Sequence, residues 1–403
     1  MNGLAYADAR GHVYFDERVE PLADGGVVRA AERGELRRAP RGTIPVMLPA
    51  RRPLLAGGRV AKRRTALAAL LPAGYTRLLL PAYVADDAAP PLPLYGYTYA
   101  CVVGDALYVA ATRTDERDDW APRTFARGEL ESAIEARRAR DPANRVLAQL
   151  EICARDYACF TAQNVFLEVG EAALPASPRC NARCIGCISE LDADAGIPSP
   201  QVRIAYETTV DELARIARSH LERVPAGIVS FGQGCEGEPL LRPTTLARTI
   251  AAVRAGRANG TLNCNTNGSR PTALGALIDA GLDAVRVSLN SFRPATYAAY
   301  YRPRGYGLDD VFESVRLASS RGLRVSLNLL THPGVTDDAD EVRAMEAFLR
   351  EVRVDLVQTR TLNIDPAAYF AAVGRPREPL GMRGALRSIR DAGVRVGNFT
   401  HTH

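Results

Sequence analysis

Three cysteines fall within eight residues, in the run Cys180-Asn181-Ala182-Arg183-Cys184-Ile185-Gly186-Cys187. Thiolates are metal ligands, and three on one short loop can each hold one iron of a [4Fe-4S] cubane. The fourth iron then has no protein ligand, and an open coordination position is where a metal site does chemistry. A small chelating molecule can bind there. Structural zinc is the alternative, but it commonly asks for four closed ligands in two Cys-x-x-Cys type pairs, and no second pair follows at a suitable distance. Cys153, Cys159, Cys235 and Cys264 read as buried, unreactive residues.

Such a loop needs a frame. From about residue 160 onward, short apolar runs alternate with amphipathic stretches, the pattern of strand-helix units around a parallel sheet. Apolar runs at 165–169, 228–231, 261–265, 284–289, 323–329 and 354–358 predict six strands, with helices at 210–223, 244–255, 271–280, 308–321 and 338–352 between them. The fold class expected is α/β, a partial (β/α)6 TIM-type barrel with an additional α+β N-terminal domain. Its divisions are an N-terminal domain over 1–141, a linking helix over 142–163, the barrel over 164–365 and a C-terminal extension over 366–403. Hairpin-like material at 4–15 and 95–110, the latter turning at Gly104 and Asp105, belongs to the N-terminal domain. The alternating Tyr95, Tyr97 and Tyr99 are read as strand packing. His401 and His403 are read as a frayed end without a role.

In a barrel of this type, reactive residues stand where the strands end. Gly237 and Glu238 follow the second strand, in Gly232-Gln233-Gly234-Cys235-Glu236-Gly237-Glu238-Pro239. Asn265 ends the third, in Asn263-Cys264-Asn265-Thr266-Asn267-Gly268, and Ser288 and Asn290 end the fourth. Tyr297, Tyr300, Tyr301 and Arg302 follow as substrate-side candidates. After the sixth strand come Arg360, Asn363 and Asp365, and Arg360 is suited to pair with a carboxylate of cofactor or substrate. Plain turns are the alternative for the glycine-rich and Asn-Gly segments, and a surface return loop for 358–365.

The cysteine triplet, its place after the first strand and the strand-helix units that follow resemble the radical S-adenosylmethionine (radical SAM) superfamily, over roughly residues 160–365. The resemblance implies a single-cluster enzyme with two cofactors, a [4Fe-4S] cluster on Cys180, Cys184 and Cys187 and S-adenosylmethionine, whose amino and carboxylate groups chelate the open iron. It implies reductive cleavage to a 5'-deoxyadenosyl radical that abstracts hydrogen from a substrate, whether small molecule, peptide or RNA, and an electron donor such as a flavodoxin or ferredoxin. The Gly237-Glu238-Pro239 segment is similar to the Gly-Gly-Glu segment that holds the methionyl ammonium, with Glu236 where a glycine is more usual. The 265–268 segment is similar to the family's Thr-Asn-Gly. By the same resemblance Ser288 and Asn290 contact the ribose or carboxylate of the cofactor. One departure is Gly186, where many members place an aromatic residue near the adenine.

Bulk properties limit the alternatives. A chain of 403 residues, 47% hydrophobic and 24% charged, buries a sizeable core. No apolar stretch reaches the roughly 20 residues of a bilayer span, and the first residues lack a signal-peptide pattern, so a cytoplasmic protein with no membrane partner is expected. Between Arg29 and Arg64, eleven basic residues face only Glu32 and Glu35. That stretch supports the competing expectation, a non-catalytic zinc or iron-sulfur module binding nucleic acid through its basic N-terminal region.

Overall fold

The computed structural model describes residues 2–8, 10–115, 126–256 and 259–400; the terminal histidines lie outside the described residues. Seven parallel strands pair in chain order: Glu171–Ala173, Ile228–Phe231, Thr261–Thr266, Ala284–Leu289, Arg324–Thr331, Leu356–Thr361 and Arg395–Gly397. Parallel neighbours need a crossover, and helices supply each one. They are Val210–Arg223, Pro243–Ala255, Pro271–Asp279, Leu308–Ser320, Ala339–Glu351 and Met382–Asp391. Outward positions such as Val229, Leu262, Val285, Val287, Leu327 and Val357 bury against these helices in one core. The inward positions alternate with them, and many are polar. The partial α/β barrel is therefore present, with one strand more than the six read in the sequence. That seventh strand has only three residues, too few to show a period.

The first strand corrects an expectation. Residues 165–169 do not form it; Phe160–Leu167 is a helix, and the strand starts at Glu171. Ala162, Val165 and Phe166 bury at the three- and four-residue spacing of a helix face, and an apolar run this short fits either period. Nor is 142–163 one helix. Asn144 caps Arg145–Arg155 by accepting from the backbone of Val146 and Leu147, and Ala158, at φ 48°, breaks the chain before the next helix begins.

Residues 2–115 form antiparallel sheets, the largest with eight strands. Both expected hairpins are there: Leu4–Ala7 pairs with Val13–Asp16, and Thr98–Val103 with Ala106–Arg113. Tyr97 and Tyr99 are buried, their hydroxyls donating to the carbonyls of Pro93 and Pro21; Tyr95 is exposed. Much of the basic stretch is used internally. Arg29 pairs with Glu35, Arg52 with Asp86, Arg64 with Asp16, and Arg51 with Asp365, while Arg37 lies over the ring of Tyr75. Among the described residues no helix is long and apolar enough to cross a membrane.

The N-terminal sheets dock on the last strands of the barrel. Thr76 and Thr359 share a hydroxyl-hydroxyl bond of 2.6 Å, Arg77 donates to the Leu362 carbonyl, and Asp115 accepts from the backbone of Asn398 and Phe399. Arg51 reaches Asp365 at 2.9 Å, with both side chains buried. Asp365 also accepts from the backbone of Leu92 and caps the helix Pro366–Val373. It is an anchor between the two parts.

Two stability outcomes follow. Asp365→Ala leaves Arg51 buried without its counter-ion and is expected to lower the unfolding free energy by about 3 to 5 kcal/mol in urea titrations. Glu212 closes a capping box with Thr209 and pairs with Arg145, and the Arg145 hydrogen bond holds its carboxyl down at about 2. A depressed carboxylate stabilises the fold above its unfolded value and stops doing so as pH falls through the folded one. The stability difference between the native chain and Glu212→Gln is therefore expected to be constant near neutrality and to shrink below about pH 4.5, read from denaturant unfolding at a series of pH values.

Candidate cluster and cofactor site

The cysteine loop leaves the first strand and carries no secondary structure of its own between Leu174 and Cys187. Its backbone groups are satisfied from the second- and fourth-strand sides of the barrel mouth, and its Asn181 side chain by the third-strand loop. From the second-strand loop, Gly237 N donates to the Ser177 carbonyl at 2.6 Å and Glu238 N to the Arg179 carbonyl at 2.8 Å. From the fourth-strand side, the Tyr301 and Tyr300 carbonyls accept from Arg183 N and Ile185 N, and Arg304 N donates to the Asn181 carbonyl. From the third-strand loop, Asn267 Nδ2 donates to Asn181 Oδ1, and Asn181 Nδ2 donates to Ser269 Oγ, both at 2.9 Å.

Two glycines permit this close packing. A Cβ on Gly237 would stand 2.1 Å from the Arg179 carbonyl oxygen and 3.0 Å from Cys180 N. Gly232, at φ 76°, would carry one 1.7 Å from the Asn265 carbonyl. Glu236, which the sequence marked only as a departure, fills the joint between them. Its carboxylate accepts from four backbone N–H groups: Gly232 and Gln233 on its own loop, and Ala176 and Ser177 at the root of the cysteine loop. Burial pushes this carboxyl up to about 7, against the pull of those four bonds. A glycine could not make this tie.

Cys180, Cys184, Gly237, Glu238, Asn265 and Ser288 all line one pocket of about 130 Å3. Candidates from each of the first four strands thus meet at one place. Glu238 presents a carboxylate already holding Thr266 Oγ1, Asn267 N and Leu240 N, and burial raises it to about 7. Cys187 stands off this wall, with its sulfur 3.5 Å from the guanidinium of Arg203. Arg203 is a positive neighbour that the sequence pattern did not single out. Burial pushes the Cys184 thiol well up, and the nearby Cys187 and Cys180 add to it; Cys180 rises to about 11 by burial and the charge of Glu238. Three thiols crowded like this favour deprotonation only when a cation joins them.

Besides Cys187, two predicted cofactor-binding residues are not on that wall. Asn290 is fully buried, its amide nitrogen donating to the Thr296 carbonyl and the Tyr369 hydroxyl, and its Oδ1 has no partner. Arg360 stays inside the barrel, with Nε on Asn328 Oδ1 at 3.1 Å. Tyr297, Tyr300 and Tyr301, expected on the substrate side, instead wedge beneath the cysteine loop and are buried. Tyr300 explains the glycine before the third cysteine: a Cβ on Gly186 would stand 3.0 Å from the Tyr300 hydroxyl. The aromatic ring comes from another loop. Arg302, also expected there, pairs with Asp192.

Among the described residues no group of three His, Cys, Asp or Glu could hold a single metal ion. A cubane does not ask for one, because its three thiolates bind three different irons. Other observations fit a bound group here. The Tyr301 hydroxyl is buried without a partner, and Tyr301 lines the same pocket. An unpartnered buried hydroxyl costs free energy unless a ligand meets it.

Gly237→Ala tests the clamp without touching a candidate iron ligand. It is expected to push the two loops apart, cost about 1 to 3 kcal/mol and lower the iron bound per chain after anaerobic reconstitution, read by metal analysis.

Residues 174–345 match the family model described as Radical SAM superfamily. A GTP 3',8-cyclase of Streptomyces coelicolor is 34% identical over 163 residues, 40% of this chain and 44% of the relative. The FeMo cofactor biosynthesis protein NifB of Klebsiella pneumoniae is 24% identical over 253 residues, 57% of this chain and 51% of the relative. The chain thus spans about half the length of the curated relatives it matches. Among solved structures, a radical SAM methyltransferase from Sphaerobacter thermophilus aligns with a TM-score of 0.42 at 16% identity, covering 56% of this chain and 64% of that one. The matched segment contains the cysteine triplet and the mouth loops of the second, third and fourth strands, and it is in this part that the chain is similar to the radical SAM superfamily.

Proposed function

We propose that this chain binds a [4Fe-4S] cluster through Cys180, Cys184 and Cys187 and S-adenosylmethionine in the pocket beside it, and uses them to start radical chemistry on a substrate held in the barrel. The observation that carries this reading is the single pocket shared by Cys180 and Cys184 with Gly237, Glu238, Asn265 and Ser288. When bound, the two cofactors supply one-electron cleavage of the sulfonium and a 5'-deoxyadenosyl radical able to abstract hydrogen.

The chain's residues hold and screen. The clamp on the cysteine loop keeps the three thiols at the mouth, and the Arg203 guanidinium offsets some of the negative charge the loop gains on losing its protons. Asn265 and Ser288 offer polar atoms to the ribose and amino-acid part of the cofactor. The Gly237 and Glu238 segment stands at the ammonium end, its backbone held by the Ser177 and Arg179 carbonyls and its carboxylate by Thr266. Tyr301 has a hydroxyl to donate. The apolar bodies of Tyr297 and Tyr300 exclude water from below the loop, as a reactive radical requires. A flavodoxin or ferredoxin in a cytoplasmic setting would deliver the electron. All eight cysteines are free thiols, as a reducing compartment keeps them.

After anaerobic reconstitution with iron and sulfide and reduction by dithionite, the full chain is expected to convert S-adenosylmethionine to 5'-deoxyadenosine and methionine. Cys184→Ala is expected to bring both iron content and 5'-deoxyadenosine to background. Cleavage that persists in an iron-free Cys184→Ala chain, or its absence from a fully loaded native chain, would refute this reading.

A further inference from the structure

Cys187 differs from the other two candidate iron ligands in what surrounds its sulfur. Cys180 and Cys184 meet backbone N–H groups, of Ala182 and of Cys184 itself. Cys187 meets side chains: Arg203 Nη2 donates to its sulfur at 3.5 Å, and Ser189 Oγ stands 3.7 Å from it. These two side chains are joined, because Arg203 Nε donates to Ser189 Oγ at 3.2 Å. A hydroxyl that accepts this bond keeps its own proton for the sulfur. The Cys187 sulfur thus faces two donors, one of them charged.

The guanidinium is aimed by the chain on either side of it. Gln201 N donates to the Ile188 carbonyl at 2.9 Å, and Ile204 N to the Cys235 carbonyl at 2.8 Å. The segment that carries Arg203 is therefore tied both to the residue after Cys187 and to the second-strand loop. Its remaining nitrogen, Nη1, pairs with Glu190. All three nitrogens of the fork are engaged in fixed directions, which a lysine ammonium on its flexible stem does not reproduce. The ion pair is unequal. Arg203 is 11% exposed and Glu190 66%, so water screens the carboxylate far more than the guanidinium. A net positive charge is left at the sulfur, and it acts on Cys180 and Cys184 as well.

Three thiolates around an iron-sulfur cube make an anionic group, which one added electron makes more negative. Net charge, hydrogen bonds to the sulfurs and solvent exposure set the potential of such a group. A charged donor at one sulfur holds the more negative form more tightly.

We propose that Arg203, oriented by Ser189 and opposed by Glu190, sets the reduction potential of the cluster held by Cys180, Cys184 and Cys187, favouring the one-electron reduced form through its hydrogen bond to the Cys187 sulfur. This rests on the cluster reading above. The electron comes from an external one-electron donor. Arg203 gives up neither electron nor proton and acts through Cys187, so it is a positioning residue.

The test uses the full chain, reconstituted anaerobically with iron and sulfide, with the potential read by electron paramagnetic resonance during a dithionite titration and iron per chain measured alongside. Arg203→Gln is expected to shift the reduction equilibrium toward the oxidised form by on the order of tenfold, which is about 59 mV for one electron. Ser189→Ala is expected to shift it the same way by less, and Arg203→Lys to fall between the native chain and Arg203→Gln. Glu190→Gln, which removes the opposing charge at an exposed position, is expected to raise the potential. The opposite signs exclude a plain tie between two loops, since breaking the Arg203–Glu190 pair from either end would then have the same effect. An iron-loaded Arg203→Gln chain with the native potential overturns the proposal, and so does a fall in potential in Glu190→Gln. If Arg203→Gln takes up no iron, Ser189→Ala and Glu190→Gln decide, and the absence of opposed shifts overturns it. A fully loaded native chain that leaves S-adenosylmethionine intact would strike only the function proposed above, whereas a native chain that takes up no iron would overturn both.

Discussion

A loop without secondary structure must have its backbone polar groups satisfied from outside, and here everything at the mouth follows from how that is done. The cysteine segment takes its partners from the loops after the second, third and fourth strands. The Glu236 carboxylate, with four backbone donors, joins the root of the segment to the second-strand loop. The strand ends are thereby fixed to one another through the cysteine segment. Remove the clamp, and the thiols lose both their spacing and their common pocket with Gly237, Asn265 and Ser288.

The barrel behind the mouth solves a second problem. An open parallel sheet leaves an unclosed gap, and here the strand Arg395–Gly397 and the antiparallel sheets of residues 2–115 pack at its far side. Buried polar pairs fix that contact: Thr76 with Thr359, Arg51 with Asp365, and Asp115 with the turn at Asn398. Such pairs are specific in geometry, because a small shift leaves a buried charge or hydroxyl unsatisfied. Inside, the polar lining costs stability and provides chemistry. Glu171 balances Arg286, and Arg360 nearer the mouth donates to Asn328.

Legibility differed by the range over which each signal acts. The cysteine spacing is local, so the candidate iron ligands could be named from eight consecutive residues. Strands two to six were visible because their outward positions bury against helices and repeat every second residue. The first and last strands have three residues each and show no period, so an apolar helix face at 160–167 was read as the first of them. Glu236 looked like a flaw in a glycine-rich segment, although its carboxylate does work that no glycine can. Two of its four partners lie about 60 residues away, a distance at which the sequence shows no pattern. The same holds for Tyr300, which stands against Gly186 from another loop.

The sequence by itself determined the reactive group and the repeating unit, three thiols on a short loop and the alternation of strand and helix, because both arise from the order of neighbouring residues. Tertiary structure alone decided which candidates meet. It gathered Gly237, Glu238, Asn265 and Ser288 around Cys180 and Cys184, turned Asn290 into the core, set Asp365 against Arg51 and Arg360 against Asn328. The reason is physical: a residue's place in a motif follows from its neighbours in the chain, whereas its partners follow from strand register and the parity of inward and outward positions.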